Sequence, residues 1–161
     1  MTANTENNVN LASLISRGGV YHNISGKTPK DVLINLIKKL PVFHNLDNII
    51  LLQATLEREE LMSTGIGRGV AVPHPRNPVL EENGLPFIAL GFLSEATDWN
   101  TYDGSMVSII FLVVSVSAKQ HLAALSEINF LCQHENFLKQ IKTHSSKDEV
   151  ISAILEAEKN W

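Results

Sequence analysis

The chain has 161 residues, 44% of them hydrophobic, and a formal net charge of −4, which fits one globular domain with its own core. The acidic balance and the lack of a basic run argue against a nucleic-acid binder. The longest apolar run, 106–116, is too short to cross a bilayer, and the polar first residues lack a secretory signal. We therefore expect a cytoplasmic protein without membrane insertion.

The start of the chain is predicted to contain a lead-in, a short helix, and then a strand or loop. Residues 1–10 are predicted to be a disordered lead-in, and residues 11–161 are predicted to form a single domain. The helix begins at Leu11 and ends at the pair of glycines that follows its apolar residues. A short strand or a loop is predicted for residues 20–27.

Two longer helices are predicted next. Thr28 can cap the first of them, Pro29 suits its first position, and Pro41 ends it. Asp47 is the expected cap of the second helix, and the spacing of the apolar residues predicts which side it buries. That side is formed by Ile49, Leu52 and Leu56.

Three strands and two helices are predicted for the second half of the chain. The segments 70–73, 86–93 and 106–116 are rich in β-branched and aromatic residues, and the last is apolar enough for a central strand buried on both faces. Capping boxes begin the helices at Ser117 and Ser146. Helices before and after buried strands predict an α/β domain of three layers, a sandwich with helices on both faces of a sheet. The apolar positions of these two helices are Leu122, Leu125, Ile128 or Asn129, and Cys132 in the first, and Val150, Ile151, Ile154 and Leu155 in the second.

The stretch "GIGRGVAVPHPRNP" surrounds one histidine with residues of special backbone geometry. Gly65, Gly67 and Gly69 match neither the dinucleotide fingerprint nor a P-loop, so two interpretations stay open: a turn into the next strand, or a loop that lets a ligand approach. His74 stands between two prolines, which fix its backbone. The placement of this imidazole is therefore expected to matter.

Neither a metal site nor a nucleophilic triad is indicated. No histidine pair has the helical spacing of a metal motif, no G-x-S-x-G elbow is present, and Cys132 falls on the apolar side of a predicted helix. A single cysteine also excludes an intrachain disulfide. The remaining histidines are expected to be surface or partly buried: His22, His44, His134 and His144.

Three residues together suggest a phosphoryl site. His74 ends a predicted strand, where ligand sites of α/β sheets tend to lie, and His121 falls in the first turn of a helix, which attracts anions. Arg58 precedes the glycine loop and offers a guanidinium suited to phosphate. Each could be an ordinary structural or solvated residue on its own. As a set, they suggest an anion held beside a nucleophilic imidazole, which forms a labile phosphohistidine.

Two blocks, "LEREELMSTGIGRGVAVPH" and "HLAALSEINFL", resemble the enzyme IIA domains of the bacterial phosphoenolpyruvate-dependent phosphotransferase system, fructose/mannitol class. The resemblance runs from about Leu11 to Leu155, and the wording "STGIG" favours the nitrogen-regulatory branch. It implies a mixed β-sheet between helices and no metal or other cofactor. It also implies that His74 accepts a phosphoryl group from the phosphocarrier HPr, beside His121 and Arg58.

The resemblance further implies that Gly65, Gly67 and Gly69 form the phosphoryl-site loop. The onward partner is a IIB domain of a sugar permease or, in the nitrogen-regulatory branch, a regulatory protein. A purely regulatory module that is switched by phosphorylation is the alternative. Two residues depart from the family pattern: Pro75 replaces the usual glycine after the active histidine, and Arg68 replaces a usual asparagine. Arg68 and Arg76 are expected to add positive charge near the site.

Overall fold

The computed structural model describes residues 10–41, 46–81, 84–143 and 145–159, and these parts of the chain form five strands and six helices. The predicted lead-in therefore falls almost entirely outside the described residues, as do His44 and His144. The strands are β1 (Val20–Ile24), β2 (Gly65–Gly67), β3 (Val70–Ala71), β4 (Phe87–Thr97) and β5 (Val107–Val114). The helices are α1 (Leu11–Gly18), α2 (Pro29–Lys39), α3 (Asn48–Leu61), α4 (Ala118–Cys132), α5 (Glu135–Lys142) and α6 (Lys147–Glu158).

The strands form one mixed sheet in the order β1-β4-β5-β3-β2. β1 pairs with β4 and β3 pairs with β5 in parallel, whereas β4 with β5 and β2 with β3 are antiparallel. In the register of the central strands, Val70 lies opposite Ile109, and Ile88 lies opposite Val113. The prediction of a central strand at the apolar run is confirmed.

Two hydrophobic cores lie on the two faces of this sheet. One packs under α1, α4, α5 and α6, and the other packs under α2 and α3. The expected three-layer α/β sandwich is therefore confirmed, with the mixed sheet in the middle. Successive residues of β5 alternate between the cores, as a strand requires: Ile109, Phe111 and Val113 face the first core, and Ile110, Leu112 and Val114 face the second.

Local capping chemistry sets the helix starts. The Thr28 hydroxyl accepts from the Asp31 N–H, and the Asp47 carboxylate accepts from the Ile49 N–H. Ser146 forms the predicted capping box with Glu149. At α4 the Ser117 cap is present, but the Gln120 side chain accepts from the Val116 N–H rather than from Ser117, so that box is incomplete. Helix α5 was not predicted.

The buried sides of three helices differ from those predicted. In α3 the residues that reach zero exposure are Leu51 and Thr55, whereas Ile49 is 67% exposed. Thr55 is tolerated in the core because its hydroxyl donates to the Leu51 carbonyl. In α4 and α6 the predictions hold in part, because Leu122 and Leu155 point outward. The predicted residues that are buried are Ile128 and Cys132 in α4 and Val150 and Ile154 in α6, and the core also receives Ala124, Leu131 and Ala153.

Candidate functional site

His74 lies at the carboxyl end of β3, one residue beyond the last backbone contact to the central strand. That contact is the bond from the Val113 N–H to the Pro73 carbonyl, at 3.0 Å. The Nδ1 of His74 lies 2.9 Å from the carbonyl oxygen of Val72. Because a carbonyl only accepts, Nδ1 carries the hydrogen, and Nε2 keeps the free lone pair. The ring is therefore fixed in the tautomer that presents Nε2.

His121 reaches the same place from the first turn of α4. The ring centroids of His74 and His121 are 4.2 Å apart, and the ring planes are inclined by 50°. The α4 start is held by Ser117, whose carbonyl accepts from the His121 N–H and whose hydroxyl accepts from the Gln120 N–H. The side chain of His121 is thus directed from a rigid helix end.

Arg58 approaches from the last turn of α3. Its Nη1 donates to the Met62 carbonyl at 2.8 Å, which holds the guanidinium against the end of its own helix. The same helix anchors the loop after His74, because the Arg76 N–H donates to the Ala54 carbonyl at 3.1 Å. Ala54 lies one turn before Arg58. The charge of Arg58 is near enough to act on both imidazoles, although its side chain does not line the cavity beside them, so the structure places Arg58 close to His74 and His121, as the sequence suggested.

The electrostatics of the pair keep both imidazoles neutral. Burial lowers the pKa of His74, and the nearby charge of Arg58 adds to this, although the bond to Val72 opposes it. Burial lowers the pKa of His121 to about 4, and the neighbouring His74 imidazole and the charge of Arg58 act in the same direction. A neutral imidazole with a free Nε2 is the nucleophilic form of histidine.

A cavity of about 210 Å³ opens beside the two imidazoles. Its wall includes Pro75, which has no N–H, and Arg76, whose N–H is already bonded to helix α3. Neither residue after His74 can therefore donate a backbone hydrogen bond into the cavity. Hydroxyl groups and the start of α4 supply polar surface on the opposite wall, through Ser115, Ser117 and Ala118.

The three glycines of the predicted phosphoryl-site loop form a hairpin between β2 and β3. Gly67, Arg68 and Gly69 all have left-handed backbone angles, and a Cβ on Gly67 would come within 2.8 Å of the Asp103 carboxylate. Gly69 accepts from Ser108 at the beginning of β5, whereas His74 lies beside the end of β5. The structure therefore does not bring Gly67 and Gly69 to the cavity. Gly65 pairs with Ala71 and does not line the cavity either.

Arg68 shares this distant position. Its backbone N–H donates to the Asp103 carboxylate, and its guanidinium donates to the Gln133 carbonyl. Asp103 precedes β5 and Gln133 follows the end of α4, whereas His74 lies beside the end of β5 and His121 at the start of α4, so the expectation that Arg68 adds charge near His74 is wrong. Arg76 does line the cavity.

One supporting group was not anticipated from the sequence. The Glu59 carboxylate accepts from both the N–H and the hydroxyl of Thr64, at 3.0 and 2.6 Å. The Thr64 hydroxyl in turn accepts from the indole N–H of Trp99. This network ties the end of α3 to the start of β2, next to Arg58. The sequence feature from which this network could have been predicted is the Arg-Glu pair followed by the Ser-Thr-Gly stretch.

The other described histidines lie away from the cavity. The ring of His22 stacks on Phe92, with centroids 4.9 Å apart, and His134 is exposed with its Nδ1 beside the Phe130 carbonyl. Within the described ranges no group of three or more His, Cys, Asp or Glu side chains is placed to hold a metal ion. In the same ranges no helix is long and apolar enough to cross a membrane. Cys132 is buried, as predicted.

Residues 13–157 match the family model described as "Phosphoenolpyruvate-dependent sugar phosphotransferase system, EIIA 2", so the chain belongs to this family of phosphotransferase components. It is 28% identical over 152 residues to the fructose-specific EIIABC component of Bacillus subtilis; the match covers 92% of this chain and 24% of that protein. The chain thus spans about a quarter of that relative's length. It is 26% identical to the nitrogen regulatory protein of Pseudomonas aeruginosa, over 93% of this chain and 97% of that protein.

Solved structures agree with this assignment. The nitrogen regulatory protein IIA-Ntr of Neisseria meningitidis has a TM-score of 0.69 and 25% identity, covering 84% of this chain and 92% of that chain. The IIA mannitol protein of Escherichia coli has a TM-score of 0.66 at 16% identity, covering 84% of this chain and 95% of that chain, which shows the shared fold. The resemblance stated from the two sequence blocks is therefore confirmed.

Proposed function

We propose that Nε2 of His74 accepts a phosphoryl group from a phosphohistidine carrier of the HPr type. The observation that carries this proposal is the bond between His74 Nδ1 and the Val72 carbonyl, which leaves Nε2 free and aimed away from the backbone. The neutral state of the ring supports it, because a protonated imidazole has no lone pair to attack with.

The transfer balances without a cofactor. As the Nε2–phosphorus bond of His74 forms, the nitrogen–phosphorus bond of the donor histidine breaks, and the donor imidazole keeps the electron pair. Charge spreads over the three equatorial oxygens in the transition state. Arg58 offers a fixed positive charge to those oxygens, and the neutral His121 donates a ring N–H to them in the tautomer that carries its hydrogen on the nitrogen facing the cavity. Both groups are in place before the reaction, which is how electrostatic stabilisation is most effective.

The missing backbone donors after His74 affect how the phosphoryl group is held. Pro75 and Arg76 supply no free N–H, so we infer that side chains and the start of α4 take the larger share. The α4 start suits an anion because its first N–H groups are unpaired within the helix. Ser117 and Ala118 place that helix end on the cavity wall.

For the onward step, we propose delivery to a IIB domain or use of the phosphorylation state as a regulatory signal. A solved complex joins the IIA and phosphorylated IIB mannitol components of E. coli, and a similar docking would bring an acceptor to His74. The nitrogen regulatory relatives favour the second, regulatory use. A phosphoryl group adds a charge of about −1.5 to −2, enough to change partner choice. Either use places the protein in the cytoplasm with its carriers.

Reconstitution tests the acceptor. Phosphoenolpyruvate, enzyme I and HPr should convert the protein to an acid-labile adduct, and His74→Ala should abolish it. His134→Ala removes an exposed histidine outside the cavity and should be phosphorylated normally. Phosphate mapped to His121, or retained by His74→Ala, would reject the assignment. Incubating the adduct with a fructose-type IIB domain then separates sugar delivery from regulation.

A further inference from the structure

A second cavity lies at the opposite end of the sheet from His74. It encloses about 150 Å³ and sits beside Ser108 and Ile109 at the beginning of β5, whereas the His74 cavity meets β5 at Val113 and Ser115. Four residues along a strand separate Ile109 from Val113, about 13 Å. This cavity takes no part in the phosphoryl chemistry proposed above.

Irregular strand pairing opens the cavity. The register of β1 against β4 shifts between Tyr21 and Ile24, and that of β4 against β5 shifts after Phe92. Asn23 adopts a left-handed backbone with φ of 55°, which is uncommon for a residue other than glycine. Bulges of this kind often re-aim a side chain next to a functional site. Here the shift accompanies the stacking of the His22 ring on Phe92 in the cavity wall.

Most polar groups of the wall have no protein partner, the exception being Ser94, whose hydroxyl donates to the Ile24 carbonyl. Among the described residues, no hydrogen bond is formed by the ring of His22, the amide of Asn23, the Ser108 hydroxyl or the Lys142 ammonium, and Lys142 forms no ion pair. A Cβ placed on Gly69 would lie 3.6 Å from Ser108 Oγ and 3.7 Å from Lys142 Nζ, so these two groups converge on one point. None of the described aspartates and glutamates lines the cavity.

We propose that this cavity binds a small organic carboxylate with a short apolar body. The carboxylate would lie between Lys142 and Ser108, and the apolar part would rest on the accessible edge of Phe92. The volume sets the size: ligand sites for drug-sized molecules enclose about 300–1,000 Å³, so this cavity suits roughly ten non-hydrogen atoms or fewer. A charged hydrogen bond in a partly enclosed site is stronger than one in open water.

NMR titration of the full-length, isotope-labelled protein tests the proposal, with butyrate as the probe. We expect saturable shifts of the backbone amides of Ser94, Ser108 and Lys142, with affinity in about the millimolar range. Lys142→Gln should weaken binding by about tenfold or more. Lys139→Gln removes the same charge from an exposed position on the same helix and should bind like the unaltered protein. Both lysines are exposed, so neither change should disturb the fold.

Two further probes check the ligand class. Butyramide keeps the shape of butyrate without the charge, and it should bind much more weakly. Inorganic phosphate carries charge without an apolar body, and saturation by phosphate instead of butyrate would overturn the class. Equal butyrate binding by Lys142→Gln, or no saturation up to about 20 mM, would overturn the site itself. His74→Ala should bind butyrate normally, which separates this test from that of the acceptor.

Discussion

Replacing His121 with glutamine should change how stability depends on pH. The pKa of His121 is about 4 in the folded protein, against 6.5 for an ordinary histidine. Between these values the unfolded chain holds a proton that the folded chain does not. A lowered folded pKa therefore contributes stability that is fully present above pH 6.5 and is lost as the pH falls toward 4. Glutamine does not titrate, so the variant lacks this loss.

The magnitude follows from the interval between the two pKa values. Each pH unit corresponds to about 1.36 kcal/mol, so the whole interval sets a ceiling of about 3.4 kcal/mol. The ring of His121 is only half-buried, and water screening reduces this to about 1–2 kcal/mol. Between pH 7.5 and pH 5.0 the unaltered protein should therefore lose about 1 kcal/mol more than His121→Gln.

Urea denaturation of both proteins at the two pH values measures this difference. The comparison at pH 7.5 isolates the packing effect of the substitution, because His121 is neutral there. His74 still titrates in the variant, so some acid destabilisation should remain. If both proteins lose the same free energy of unfolding between the two pH values, neither burial nor the neighbouring groups lower the pKa of His121, and the electrostatic description of the site is wrong.

Substitutions of two glutamates, Glu59 and Glu127, should change stability in opposite directions. Glu59→Gln should destabilise the protein by about 1–2 kcal/mol in urea denaturation, because the buried Thr64 hydroxyl loses its charged acceptor; the exposed Glu60→Gln should change stability by less than about 0.5 kcal/mol. Burial, with the charge of Glu158, raises the pKa of Glu127 to about 7, so stability falls as the pH rises from 4.5 to 7. Because the site is half-exposed, Glu127→Gln should stabilise the protein by only about 1 kcal/mol at pH 8 and should leave its stability unchanged at pH 4. An absence of any gain at pH 8 would contradict the raised pKa.

Helix starts and the central strand could be predicted because local chemistry decides them. Thr28, Asp47 and Ser146 cap their helices with their own side chains, whatever the rest of the fold does. The buried side of α3 could not be predicted in the same way. Apolar residues occupy four consecutive positions, 49–52, so the spacing alone does not select a face, and the packing of α3 against the sheet selects Leu51.

The candidate site divides along a similar line. The sequence predicted His74 at a strand end and His121 in the first turn of a helix. Both positions could be predicted because the end of that strand and the start of that helix are marked by local sequence. The glycine hairpin could not be predicted because β2 is a three-residue strand in which Ile66 is the one strand-forming residue, between two glycines. Since the strand β2 could not be predicted, the hairpin through Arg68 could not be predicted either, and a glycine loop beside His74 stayed one of the two interpretations.

Helix α3 holds two parts of the site through neighbouring turns. The carbonyl of Ala54 anchors the chain just after His74, and one turn later the helix carries Arg58. A tilt or slide of this helix would move the guanidinium and the imidazole in the same direction. Two proteins of different shape that dock on this surface in turn would therefore meet the same spacing between the guanidinium of Arg58 and the imidazole of His74, which is the property that the proposed transfer needs.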